Sequence, residues 1–103
     1  MKKVSVFVPT SHADAVRAAI AEAGGGTLGN YRGCSFSTRG IGRFTPGENA
    51  HPAVGTPGKP ESVEEEKIEF ACEEFVIDAV IAAIKRAHPY EEPAIDTWSV
   101  EIL

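Results

Sequence analysis

The stretch Ala87-His88-Pro89-Tyr90-Glu91-Glu92-Pro93-Ala94 decides how the chain is read. A proline disfavours helical angles in the residue before it, so Pro89 stops any helix at His88. Two prolines four residues apart then carry the backbone in an extended form toward a strand. Just upstream, Val76, Ile77, Val80, Ile81 and Ile84 recur at helical spacing and predict a buried stripe on a helix from Glu73 to Ala87. Glu73 and Glu74 lie at its positive end and Lys85 and Arg86 at its negative end, as the helix dipole favours. Before that helix, Val63 to Cys72 predicts a strand with Ile68, Phe70 and Cys72 toward the core. The glutamates Glu64, Glu65 and Glu66 read as its solvated beginning. After the stretch, Ile95 to Ile102 predicts a last strand with Trp98, Val100 and Ile102 on one face.

The N-terminal half repeats the plan. Val4-Ser5-Val6-Phe7-Val8 is rich in β-branched and aromatic residues and stops at Pro9, which predicts a buried strand. Ser11 and Asp14 have the spacing of a capping box. Ala13, Val16, Ile20 and Ala23 form the apolar face of the helix that follows, which Gly24-Gly25-Gly26 ends. A second strand region is predicted from Leu28 to Phe44, with Gly33 marking a bulge. From Gly40 to Pro60, five glycines and four prolines replace the large apolar residues. They predict a long Gly/Pro-rich loop between strands 2 and 3, either functional or part of a contact surface. The order βαββαβ with short right-handed connections defines an α+β, ferredoxin-like sandwich, two helices on one face of a four-stranded antiparallel sheet.

A chain of 103 residues is read as one domain, 1–103. The net charge of −5 argues against a nucleic-acid partner, whose phosphates require a basic face. The apolar run at Val4 to Val8 is too short for a signal peptide or a membrane span. Cys34 and Cys72 have no framework spacing, which predicts reduced thiols and a cytoplasmic location.

The polar density of the 87–94 stretch has two readings. It is a rigid helix stop, with Tyr90 packed and Glu91 and Glu92 in water, or it is a ligand site. Imidazole with carboxylates suits a divalent first-row metal, and a thiolate would favour copper or zinc. The metal set is then His88, Glu91, Glu92 and Cys34. A cysteine such as Cys34, taken alone, is more often a small buried hydrophobe than a ligand. Asn30 and Tyr31 near Cys34, together with Tyr90, complete the ligand-binding candidates. Cys72 is read as core packing and His51 as exposed in the loop. No Ser-His-Asp triad and no phosphate-cradling glycine motif is present, so no catalytic residue is assigned.

The 87–94 stretch resembles a small domain inserted in YqfO-type proteins of the NGG-interacting-factor-three-like group, also called GTP cyclohydrolase I type 2 homologues. So do Val6-Phe7-Val8-Pro9, Gly29-Asn30-Tyr31-Arg32-Gly33-Cys34-Ser35-Phe36-Ser37-Thr38, and Gly40-Ile41-Gly42-Arg43-Phe44-Thr45-Pro46. The resemblance implies a stand-alone version of that domain, similar in fold to the trimeric CutA cation-tolerance proteins and PII signalling proteins, and hence a homotrimer. It does not extend to the parent family's metal enzyme, because the chain has only three histidines and no HxxH pair. The resulting expectation is a non-enzymatic oligomeric binding or regulatory module of the YqfO/CutA/PII-like type. It would take a divalent metal ion or small effector near the His-Pro-Tyr-Glu-Glu-Pro segment. The alternatives are a metal-assisted hydrolase related to the parent family, or an interaction domain that carries no ligand and meets a protein partner.

Overall fold

Val4, Val6 and Val8 point to one side of strand β1 (Lys2–Pro9) and are wholly buried. In the computed structural model, which describes residues 1–103, they meet Phe70, Ile68 and Glu66 directly across the ladder with strand β3 (Glu61–Cys72). Strand β2 (Phe36–Phe44) pairs with the other edge of β3, and β4 (Ile95–Ser99) with the other edge of β1. The sheet is antiparallel throughout with order β2-β3-β1-β4, the ferredoxin-like topology.

Helices α1 (Ala13–Glu22) and α2 (Ile77–Ala87) cover one face. Val16 and Ile20 from α1, and Val80 and Ile84 from α2, close on Val4, Val6, Ile68 and Phe70. Fully burying each such side chain is worth about 1.5–3 kcal/mol, so this one layer holds the sandwich together. His88 adopts φ −80, ψ 135, the extended geometry Pro89 requires, and its N–H closes the last turn on the Ile84 carbonyl at 2.9 Å. No helix is long and apolar enough to cross a membrane.

Several local expectations are corrected. The capping box does not form: Ser11 bonds the His12 ring at 2.9 Å, and Asp14 pairs with Arg17 at 2.7 Å. A short 3₁₀ turn, Thr10–His12, leads into α1 instead. Residues 28–35 are not a strand. Leu28 and Tyr31 bond each other in a tight turn, and Gly33 is a left-handed turn residue at φ +68, not a bulge. The glycine that matters most is Gly26, at φ +76. Its N–H bonds Ala71 and its carbonyl accepts from Cys34, so close that a Cβ would strike the Cys34 backbone. Strand β2 continues through Gly40 to Phe44, which leaves residues 45–60 as the loop. Strand β4 ends at Ser99, so Val100 and Ile102 lie outside it.

β1 ends opposite Glu65, while β2 and β3 run on together to the pair Phe44 and Glu61. The hairpin thus projects as a two-stranded arm, and the molecule is elongated at 46 × 24 × 22 Å. An isolated ribbon of two strands is marginal in water. What supports this one is the 88–94 segment.

Candidate functional site

Successive residues of a strand face opposite sides, so the run Glu64-Glu65-Glu66 cannot be uniformly solvated. Glu66 falls on the helix side and is 6% exposed. It accepts a hydrogen bond from Arg17 at 2.7 Å, and the same guanidinium reaches Ser37 at 3.0 Å. Glu65 falls on the open side and is 7% exposed. Its Oε2 accepts the Tyr90 hydroxyl at 2.8 Å. The expected solvated beginning of the strand is therefore two buried carboxylates with separate partners. Gly42 lies beside Glu65, where any Cβ would run into the carboxylate.

His88 is buried and has both ring nitrogens committed. Nε2 lies 2.6 Å from the Phe7 carbonyl, and Nδ1 accepts the Tyr90 N–H at 3.1 Å. These partners assign the neutral ring with its proton on Nε2. Burial is the main cause that pushes its pKa down, against the pull of the Phe7 carbonyl and Glu65. Tyr90 is held in place by these bonds and by an edge-to-face contact with Phe44, at 5.5 Å and 62°. Burial, and then the bond to Glu65, push the Tyr90 hydroxyl well above its ordinary pKa.

Phe7, Phe44, Pro46, Val54, Glu65 and Tyr90 line a cavity of about 460 Å3 on the open side of the sheet. Loop 45–60 folds over it. Pro46 is buried, its carbonyl accepts the Gly58 N–H at 2.8 Å, and the His51 N–H reaches the Glu91 carboxylate at 3.2 Å. Glu91 and Glu92 form part of the same wall. The volume is in the range of small-molecule sites.

The predicted site residues divide into two groups. Tyr90, Glu91 and Glu92 line the cavity, and His88 braces it from behind. Cys34, Asn30 and Tyr31 belong to the turn beside Gly26, which is bonded to Ala71 opposite Lys3. His88 bonds Phe7, four residues further along β1. At ~3.3 Å per residue, strand geometry separates the two groups by roughly 13 Å. The set His88, Glu91, Glu92 and Cys34 is therefore not gathered within one chain. No group of three or more His, Cys, Asp or Glu side chains is placed to hold a metal ion. Asn30 and Tyr31 are exposed, and Cys72 is buried with its thiol pKa raised mainly by that burial.

Sequence reasoning missed Glu65, Phe44 and the folded loop. The available signal was the strand alternation through Glu64-Glu65-Glu66, which places an acid on each face of a sheet whose central strands are buried.

The fold and this segment have clear counterparts. No protein-family model matches the chain. A protein from Halalkalibacterium halodurans named GTP cyclohydrolase 1 type 2 homolog is 47% identical over 96 residues, 93% of this chain and 26% of that protein. The crystal structure of a Bacillus cereus protein related to NIF3 superposes with a TM-score of 0.84 at 44% identity, covering 98% of this chain and 26% of that one. The PII-like protein CutA from Nostoc superposes at 0.69 with 18% identity, covering 98% and 82%. The chain has the CutA/PII-like form of the ferredoxin-like fold. Within that class it is homologous to one segment of the NIF3-related proteins, and it spans about a quarter of their length.

Proposed function

We propose that the chain is a non-enzymatic, self-associating binding module that takes a small effector in the cavity between segment 88–94 and loop 45–60. The observation that carries this reading is the cavity itself, walled by a rigid segment on one side and a Gly/Pro-rich loop on the other. His88 and Tyr90 fix the first wall. The single His51–Glu91 bond ties the second to it. An effector that touches both walls favours the closed loop by its differential affinity for that state, and so changes the surface the module presents. Self-association is supported by the large apolar groups left on the open side of the sheet, Phe36 at 70% and Trp98 at 41% exposure. The form proposed for this self-association is a homotrimer, as the resemblance to CutA and PII proteins leads one to expect.

A divalent transition metal such as copper or zinc is the narrower version of the reading. It would draw Glu91 and Glu92 from one copy and Cys34 from another, because His88 is already committed on both nitrogens. The alternative reading is a metal-assisted hydrolase related to the parent family.

Thermal unfolding with added copper, zinc, nickel, cobalt, nucleotides, amino acids and small amines tests the module. A ligand present at 100 times its Kd stabilises the fold by ~2.7 kcal/mol. We expect a shift with at least one class, lost in Glu91→Gln combined with Tyr90→Phe. No shift with any of them overturns the binding reading. A zinc or copper shift lost in Cys34→Ser selects the metal version, and turnover of a nucleotide or phosphoester selects the hydrolase.

A further inference from the structure

Glu65 is a nearly buried carboxylate without a cation. Its one hydrogen-bond partner is the Tyr90 hydroxyl, on Oε2. Oε1 has no hydrogen bond, and no lysine, arginine or histidine lies within ion-pair distance. Its neighbour Glu66, buried to the same degree, has Arg17 at 2.7 Å. The contrast locates an unbalanced negative charge at the wall of the cavity. A carboxylate set in an apolar wall is a natural counter-ion for a cation that enters the space beside it. No cation from the rest of the site pairs with Glu65. Glu91 and Glu92 contribute two more carboxylates at the mouth. Arg43 borders the cavity, but it pairs with Ser62 on the helix side of the ladder, which turns its side chain away from Glu65. Lys67 shares the open face, where it pairs with Glu69 at 3.2 Å and lies over the Phe7 ring at 5.9 Å, outside ion-pair distance of Glu65.

The remaining walls are apolar and aromatic. Phe7, Phe44, Pro46 and Val54 surround the space, and the Tyr90 ring stands next to the carboxylate it bonds. Aromatic faces attract a desolvated ammonium, and a cavity of about 460 Å3 is too large for a bare ion to fill. We infer that the cavity takes an organic cation, an ammonium or guanidinium group on an apolar stem, with the Glu65 carboxylate as its counter-ion. This rests on the reading of the cavity as a binding site and names its ligand class. Gly42 is the enabling residue, since only a missing side chain leaves the Glu65 carboxylate room against β2.

Isothermal titration of the full chain with three probes of one shape tests the charge: phenethylamine, 2-phenylethanol and phenylacetate. The inference expects phenethylamine to bind at least tenfold more tightly than either of the others. It also expects Glu65→Gln, which keeps the side-chain shape and an acceptor for Tyr90, to remove that preference. The comparison of probes on the unaltered chain holds even if the variant folds poorly. Equal binding of the alcohol overturns the inference, as does an amine preference unchanged in Glu65→Gln. Tighter binding of phenylacetate overturns the cationic ligand and leaves the cavity standing as a site. Absence of binding by every probe at millimolar concentration overturns the organic-cation inference, and the binding reading falls with it only if the wider thermal-shift panel is also silent.

Discussion

Two opposing electrostatic effects meet at His88. It follows the C-terminal end of α2, where the helix dipole favours a cation by about 0.3–1 kcal/mol. It is also 6% exposed, and its Nδ1 accepts a backbone N–H that an imidazolium would repel. Burial wins over the dipole, the Phe7 carbonyl and Glu65, and the pKa lies below the ordinary 6.5. The folded state thus binds its proton less readily than the unfolded chain. The stability this provides is complete above pH 6.5 and is lost as the pH falls through the lowered folded value. Replacing His88 by Gln should cost about 1–3 kcal/mol at pH 7, through the lost bonds to Phe7 and Tyr90. It should also flatten the fall in urea midpoint between pH 7 and pH 5. A variant that keeps the slope of the parent would mean that another group titrates in that window. The same bonds explain why a residue that reads as a metal ligand acts as a brace: a histidine with both nitrogens occupied has no lone pair to give.

The elements are locked to each other by few polar contacts, and Arg17 makes the most consequential of them. It joins α1 to β3 through Glu66 and to β2 through Ser37, at the point where the apolar layer ends. Glu66 is buried, whereas the Arg17 side chain is 30% exposed, so the pair sits between the surface and interior limits. Arg17→Met should destabilise by about 2–3 kcal/mol, because it leaves Glu66 buried and unpaired. The double variant Arg17→Met with Glu66→Leu should recover much of that loss. Chemical denaturation of the two variants and the parent measures it, and an additive double variant would show the pair to be independent. The Arg17 link is invisible in the sequence, where helical spacing only places the residue off the apolar face of α1. Its partner is 49 positions away, and local periodicity carries no information at that separation.

At the scale of the whole molecule, the two faces of the sheet are treated differently. The helices cover one, while the other leaves Phe36 and Trp98 in solvent, on edge strands β2 and β4 with unpaired backbone groups. Large exposed apolar side chains on both edges of an uncovered sheet face are what the proposed self-association would bury. Light scattering at micromolar concentration should report three times the chain mass of 11.0 kDa. Phe36→Glu with Trp98→Glu should reduce it to the single-chain value without loss of helical circular dichroism. A monomer in the unaltered protein would remove self-association from the proposed function.

Some features of this protein follow from local chemistry alone. Val4-Ser5-Val6-Phe7-Val8, the α2 stripe and the Pro89 stop each rest on interactions within a few residues, and their order leaves one sensible arrangement. The core, the topology and the end of α2 were therefore legible from the chain itself. The ends of elements were less so. A serine at a favourable spacing was drawn to the neighbouring histidine instead of the helix N-terminus, and a Gly33 read as a bulge proved to turn the chain. The site was decided only by tertiary structure. Which polar residues converge depends on ladder register and on how far β2 and β3 outrun β1. Those long-range pairings bring Tyr90 to Glu65 and His88 to Phe7, yet hold Cys34 at the other end of the sheet. A shift of one residue in register would exchange Glu65 and Glu66 between the two faces and leave the same amino acids with no cavity to line.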